Sequence, residues 1–121
     1  MVLVAVDDLL FSSKIRATAS QAGVDVSFAR SRGEILDQAR ALKPGLVIFD
    51  LNSGKTDPVG TIAALKKDPE LASIRAIGFA SHVHTELIAA ARDAGADQVL
   101  PRSAFAGNLA EILLSTGAAD R

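Results

Sequence analysis

Short apolar runs alternate with segments of three- and four-residue spacing along the whole chain. Val2 to Val6 and Leu46 to Phe49 are continuous apolar runs, the pattern of parallel strands buried on both faces. Val24, Val26 and Phe28 alternate with polar residues, which predicts a strand with one face more exposed. Ala76 to Ala80 and Gln98 to Leu100 predict two further, shorter strands.

Between these runs lie helical patterns with recognisable ends. Phe11, Ile15, Ala19 and Ala22 share one face, and Gly23 stops that helix. Ser31 and Glu34 form a capping-box pattern ahead of Ile35, Leu36, Ala39 and Leu42, closed by Pro44-Gly45. Asp57 and Pro58 suit the N-cap and first position of a third helix through Ile62 and Leu65, ending at Asp68-Pro69. Leu87, Ile88, Ala91 and Ala94 line a fourth helix that ends at Gly95. Leu109, Ile112 and Leu113 mark a fifth, with Asn108 and Glu111 as its cap pair, and the small, polar stretch 115–121 is expected to fray. Five strand-then-helix units with short connections predict an α/β sandwich, with helices on both faces of a parallel sheet. In such sheets ligands bind beyond the carboxyl ends of the strands.

Composition narrows the class. At 121 residues the chain has the length of one domain, so a single core over 1–121 and no separate output domain is expected. Thirteen basic and 14 acidic residues give a net charge of −1 with no basic block, which argues against a nucleic-acid partner. The absence of cysteine excludes disulfides, thiolate metal sites and cysteine nucleophiles. The N-terminal apolar run is broken by Asp7 and Asp8, far short of a signal segment or a membrane span, so a cytoplasmic location without membrane contact is expected.

Candidate chemistry lies where the strands end. Asp7 and Asp8 follow the first strand and Asp50 follows the third. If those strands are neighbours, three carboxylates converge and repel one another unless a cation joins them. Oxygen ligands of this kind suit Mg²⁺. The plain alternative is helix capping, which accounts for one aspartate more readily than for the doubled Asp7-Asp8.

The runs Val6-Asp7-Asp8, Val47-Ile48-Phe49-Asp50, Asp68-Pro69 and Ala94-Gly95-Ala96-Asp97 together resemble a response-regulator receiver domain, the phosphoacceptor module of two-component signalling. The resemblance covers nearly all of the chain. It implies a (βα)5 flavodoxin-like three-layer sandwich with a five-stranded parallel sheet in the order 2-1-3-4-5. It also implies that Asp50 is the phosphoacceptor. Asp7 and Asp8 would be the acidic pair, with Asp8 the more direct Mg²⁺ ligand and the Asn52 carbonyl a further one. The chemistry is coherent, because a carboxylate attacking an anionic phosphoryl group needs a bridging cation.

Two positions depart from the family. The switch Thr or Ser falls thirty residues beyond Asp50 at Ala80, and the family's lysine falls at Arg102. Ala80 cannot donate a hydrogen bond, and the missing contact to a charged group is worth about 1.5–3 kcal/mol. Ser81 can replace it only if the strand end shifts, since neighbouring strand residues face opposite ways. Arg102 keeps the charge but carries a broad planar fork, which can pair with Asp50 and stand in for the metal. Val99 occupies the place of the family's inward-turning aromatic, with Phe105 the nearest ring. Ser103 replaces the usual proline, while Pro101 precedes Arg102, and the loop 51–55 lacks the family's usual Met and Pro.

Other motifs carry less. His82 and His84 have the spacing of a metal pair but no third ligand nearby, so a surface role is expected. Gly54-Lys55-Thr56 imitates the end of a phosphate loop without its first glycine. Ser12-Ser13 reads as a helix start, and Lys66-Lys67 as a solvated helix end.

The resulting expectation is a stand-alone, atypical receiver that acts through protein contacts with little phosphorylation switching. Its partners would be a histidine kinase, a relay or output protein, or a second copy. They would meet the face of the fourth helix, last strand and last helix, where Ala89, Ala90, Ala91 and Ala94 permit close approach. No enzymatic activity beyond self-phosphorylation of Asp50 is expected. Three alternatives stand beside it: a conventional Mg²⁺-dependent phosphoacceptor, a small phosphohydrolase with Asp50 as nucleophile, and a cofactor-binding flavodoxin-like domain. The last is disfavoured because Asp7 to Phe11 is hostile to a phosphate.

Overall fold

Every apolar run of the sequence becomes a strand. The computed structural model describes residues 1–81 and 83–119. The strands are β1 (Val2–Ala5), β2 (Val26–Phe28), β3 (Leu46–Asp50), β4 (Arg75–Ala80) and β5 (Gln98–Pro101). They alternate with α1 (Leu9–Ala22), α2 (Arg32–Leu42), α3 (Pro58–Lys67) and α4 (Thr85–Ala94), and are followed by α5 (Arg102–Gly107) and α6 (Leu109–Ala119). All pairings are parallel, and the order is β2-β1-β3-β4-β5. β1 and β3 are therefore neighbours, in register from Val2 with Leu46 to Ala5 with Phe49.

The two-residue period of the strands divides the core into two layers. Leu3, Ala5, Val47, Phe49, Ala76 and Ala80 pack with Ile35, Ala39, Ile62, Leu65 and Ala91 of α2, α3 and α4. On the other face Val2, Val4, Leu46, Ile48, Ile77 and Phe79 pack with Ile15, Ala19, Phe105, Leu109 and Leu113 of α1, α5 and α6. Side chains of the central strands β1 and β3 are fully buried, whereas β2 is half-buried. This is the three-layer sandwich expected.

Helix ends show where the residue code held and where it did not. Gly23 and Gly95 close α1 and α4 in the left-handed conformation, at φ 72° and 113°. The Ser31 side chain accepts from the Glu34 N–H as a capping box requires, but α2 is closed by Lys43 at φ 47°, ahead of Pro44-Gly45. Asp57 precedes Pro58 as predicted, yet it sits at φ 45° and its side chain makes no cap. Its carboxylate turns to Arg32, 3.2 Å away.

The C-terminal region differs from expectation. Arg102 begins a short helix directly after Pro101, so six helices are present among the described residues rather than five. Asn108 serves the end of α5, its Nδ2 donating to the Ala104 carbonyl at 2.9 Å, instead of capping α6 with its side chain. The fray expected from Ser115 onward concerns a stretch that α6 covers as far as Ala119, and its last two positions lie outside the described residues.

Lys66 corrects a further reading. It is not part of a solvated helix end: its ammonium donates to the carbonyls of Ala72 (3.2 Å) and Ile74 (2.8 Å) and to Asp97 Oδ2 (2.8 Å). Asp97 in turn accepts from the Ala76 N–H at 2.8 Å. One lysine thus ties α3 to both ends of the crossover into β4 and to the turn before β5.

Candidate functional site

Three strand ends deliver the candidate residues to one rim of the sheet. Asp50 is the last residue of β3, and its side chain is only 5% exposed. Its Oδ1 accepts a hydrogen bond from the Asn52 N–H at 2.9 Å, which folds the following turn back over the strand. Burial pushes the Asp50 carboxyl above the ordinary carboxylate range; the Asn52 N–H and the Arg102 guanidinium oppose the shift, while Asp7 and Asp8 reinforce it. The carboxylate trio is thus an electrostatic unit, as expected from adjacent β1 and β3.

The trio is not arranged as an open metal shell. Asp8 is exposed and caps α1, with Oδ1 accepting from the Leu10 and Phe11 N–H groups at 3.0 and 3.1 Å. The capping alternative therefore holds for Asp8. Asp7 is half-buried beside it. Among the described residues, no three acidic or histidine side chains gather closely enough to hold a metal ion. Mg²⁺ is held by one or two carboxylates and several waters; here Asp8 Oδ1 is already engaged in the α1 cap, and Asp50 Oδ1 by the Asn52 N–H and the Arg102 charge.

What faces Asp50 instead is a cation of the chain itself. Arg102, at the first position of α5, puts Nη2 3.7 Å from Asp50 Oδ1. At that separation the contact is an ion pair rather than a hydrogen bond. The guanidinium carbon lies 5.5 Å from the Phe11 ring centre and 5.4 Å from that of Phe79, within cation–π range of both. Those rings belong to a packed trio: Phe79 stacks on Phe105 at 4.5 Å, and Phe11 meets both edge-on at 5.0 and 5.7 Å. Phe105 is therefore a core residue, fully buried. The rings give Arg102 a seat that holds its charge toward Asp50.

The switch positions fall on opposite sides. Ala80 ends β4, fully buried and packed with the α2–α4 layer. Ser81 follows the strand and lines a cleft together with Asp8, Lys14 and Arg102. Val99 packs in the same layer as Ala80. Ser12 donates to the Val6 carbonyl at 3.2 Å, anchoring the first turn of α1 to β1, which fits its reading as a helix start.

The loop after Asp50 is also held in place. Nδ1 of His84, at the N-cap of α4, shares a 2.8 Å hydrogen bond with Asn52 Oδ1. His84 thus has the surface role expected of it, and its companion His82 lies outside the described residues. The Gly54-Lys55-Thr56 stretch forms no helix start, and the Thr56 hydroxyl is buried without a hydrogen-bond partner among the described residues.

The proposed contact face is partly corrected. Ala91 is buried in the core and so is not available to a partner, while Ala94 is half-buried against that core. Ala89 is exposed and Ala90 half-exposed, and Val83 (68%) and Leu114 (47%) are the exposed large apolar residues of that region. Sequence reasoning missed the roles of Phe11 and Lys66. Phe11 was legible only as an apolar helix position, and nothing in a Lys-Lys pair signals the carbonyls that one of them reaches.

No protein-family model matches the chain. The response regulator protein VraR of Staphylococcus saprophyticus is 27% identical over 99 residues, which cover 81% of this chain and 46% of that protein. The chain therefore spans about half the length of the curated relative it matches. Among solved structures, the signal receiver domain of a signal transduction histidine kinase from Syntrophus aciditrophicus superposes with a TM-score of 0.84 at 18% identity, covering 98% of this chain and 89% of that one. The Mn²⁺-bound form of response regulator Rcp1 gives 0.71 at 18% identity, covering 94% and 88%. The fold is that of response-regulator receiver domains. Among the described residues, no helix is long and apolar enough to cross a membrane.

Proposed function

We propose that the chain is an atypical receiver domain of two-component or phosphorelay signalling, acting mainly by protein contact with little or no phosphorylation switching. The observation that carries this reading is the Arg102–Asp50 pair. A phosphoacceptor aspartate must be free to attack and must share a cation with the incoming phosphoryl group. Here its charge already faces a guanidinium seated on two aromatic rings. The site binds Mg²⁺ weakly for the same reason, in contrast to the Mn²⁺-bound neighbour.

Ala80 supports the same reading from the output side. A methyl group makes no differential contact with a phosphoryl oxygen, and a two-state equilibrium moves only as far as such contacts differ. The partner surface is assigned to α4, β5 and the helices after it, through exposed Val83, Ala89 and Leu114. A histidine kinase, a relay or output protein, or a second copy of the chain is the partner this reading assigns to that face. The setting implied is the cytoplasm.

A conventional phosphoacceptor is the second reading, favoured by one observation. Ser81, not Ala80, lines the cleft beside Asp8 and Arg102, where a hydroxyl could meet a bound anion. Intact-mass measurement after incubation with acetyl phosphate and Mg²⁺ separates the two. We expect no stable mass gain for the wild type and a gain for Arg102→Lys that Asp50→Ala abolishes. A stoichiometric gain in the wild type, lost in Asp50→Ala, overturns the proposal in favour of the conventional phosphoacceptor.

A further inference from the structure

The cleft between α1 and the β5–α5 junction has a volume of about 600 Å³, within the range of small-molecule sites. Its walls are Leu10 and Phe11 on one side and Pro101 and Ala106 on the other, with Lys14, Ser81, Arg102, Ser103 and Asp8 as the polar members. Leu10 is 86% exposed and the adjacent Leu9 64% exposed, so two neighbouring apolar side chains carry the apolar wall of the cleft out into solvent.

Charge decides what could cover that surface. The lining holds two cations, Lys14 and Arg102, against one carboxylate, Asp8, whose Oδ1 is already engaged by two backbone N–H groups. Arg102 is 40% exposed, and its fork makes the 3.7 Å ion pair with Asp50 but no hydrogen bond among the described residues. A planar carboxylate matches a guanidinium fork in two places at once. A dianionic phosphate fits less well, because Asp8 lies in the lining and Asp50 directly behind Arg102.

We propose that this cleft binds a small amphipathic monoanion of the aromatic carboxylate class. The carboxylate meets Arg102 and Lys14, with the Ser81 and Ser103 hydroxyls at hand, and the ring lies against Leu10, Phe11, Pro101 and Ala106. Since Arg102 also serves Asp50, ligand and aspartate compete for one guanidinium. Any event that favours one state of the pair is then coupled reciprocally to the other. The inference rests on the Arg102–Asp50 pairing of the proposed function, but not on the lack of phosphotransfer.

Methyl NMR of the whole chain tests it, with 2-naphthoate as the probe and neutral 2-naphthamide and inorganic phosphate as comparators. The expected result is a saturable shift of the Leu10 and Ala106 methyl signals by 2-naphthoate, about tenfold tighter than by the amide, the effect of one charge-assisted contact. Lys14→Glu and Leu10→Ser change exposed positions, so they keep the fold, and each is expected to weaken binding. Equal affinity for acid and amide, tighter binding of phosphate, absence of shifts, or indifference to both substitutions overturns the proposal. The readout is independent of mass gain at Asp50, so its failure is distinguishable from failure of the functional reading.

Discussion

The Lys66 ammonium lies 2.8 Å from the Asp97 carboxylate while also donating to the carbonyls of Ala72 and Ile74. The Lys66 side chain is 18% exposed, and both carbonyl contacts are part-buried, so its removal leaves acceptors short of a donor. Lys66→Met is expected to cost about 1–3 kcal/mol, the range for leaving buried acceptors without a donor. Urea denaturation checks this, and an unchanged midpoint would show that the tie is not a structural one.

Asp97 gives the fold a defined acid dependence. Burial acts to raise its pKa, but the Lys66 hydrogen bond, the Ala76 N–H and the charges of Lys66 and Arg75 together hold it below the ordinary range. The native state therefore binds fewer protons here than the unfolded chain does between that lowered value and the ordinary value of about 3.9. Its stabilisation is complete above about pH 5 and is lost as pH falls through the folded value. Asp97→Asn is expected to flatten the stability profile below pH 4 and leave its shape near pH 7 alone, as followed by denaturant midpoints across that range.

Asp50 acts with the opposite sign. Its raised pKa means that the native state holds more protons than the unfolded chain between about 3.9 and the higher folded value, so stability falls as pH rises through that window. Asp50→Asn is expected to raise Tm at pH 7, where the unfolded carboxylate is ionised and burial opposes ionisation of the folded one. The gain should shrink toward pH 4. A lower Tm at pH 7 would mean that the Arg102 attraction outweighs burial.

Arg102 sets the response to divalent cations. Removing it in Arg102→Ala leaves Asp50 facing Asp7 and Asp8 with no opposing charge, which is the setting that recruits a cation. Millimolar Mg²⁺ is expected to leave the Tm of the wild type unchanged and to raise that of Arg102→Ala, through ligand binding to the native state alone. Equal Mg²⁺ responses in the two proteins would contradict the role assigned to Arg102.

Thr56 is a smaller test of the same loop. Its hydroxyl is buried without a partner among the described residues. Thr56→Val retains the shape and removes the unmatched polar atom, so stability is expected to be unchanged or to rise by up to about 1 kcal/mol. A loss of that size would show that the hydroxyl has a partner in solution.

The strands and their order were legible because their apolar runs are continuous and bounded, and burial on both faces leaves few other uses for Leu46 to Phe49. The two glycine stops, Gly23 and Gly95, were legible for a conformational reason: only a left-handed residue closes those turns. The proximity of the three carboxylates followed from the neighbouring strands. What could not be read was which way the longer side chains turn. Asp57 was assigned to a cap that it gives up for Arg32, and Asn108 looks back along the chain instead of forward. The seat for Arg102 depends on Phe11 and Phe79, which are far apart in sequence and meet only after the sheet and α1 have packed.

The sheet ends in two unequal margins. β2 contributes three residues, and β5 closes on Pro101, which has no N–H to offer. Neither margin is a long ruler against which a foreign strand could align, so growth by strand addition, the usual route to fibrils and swapped sheets, is disfavoured at both sides.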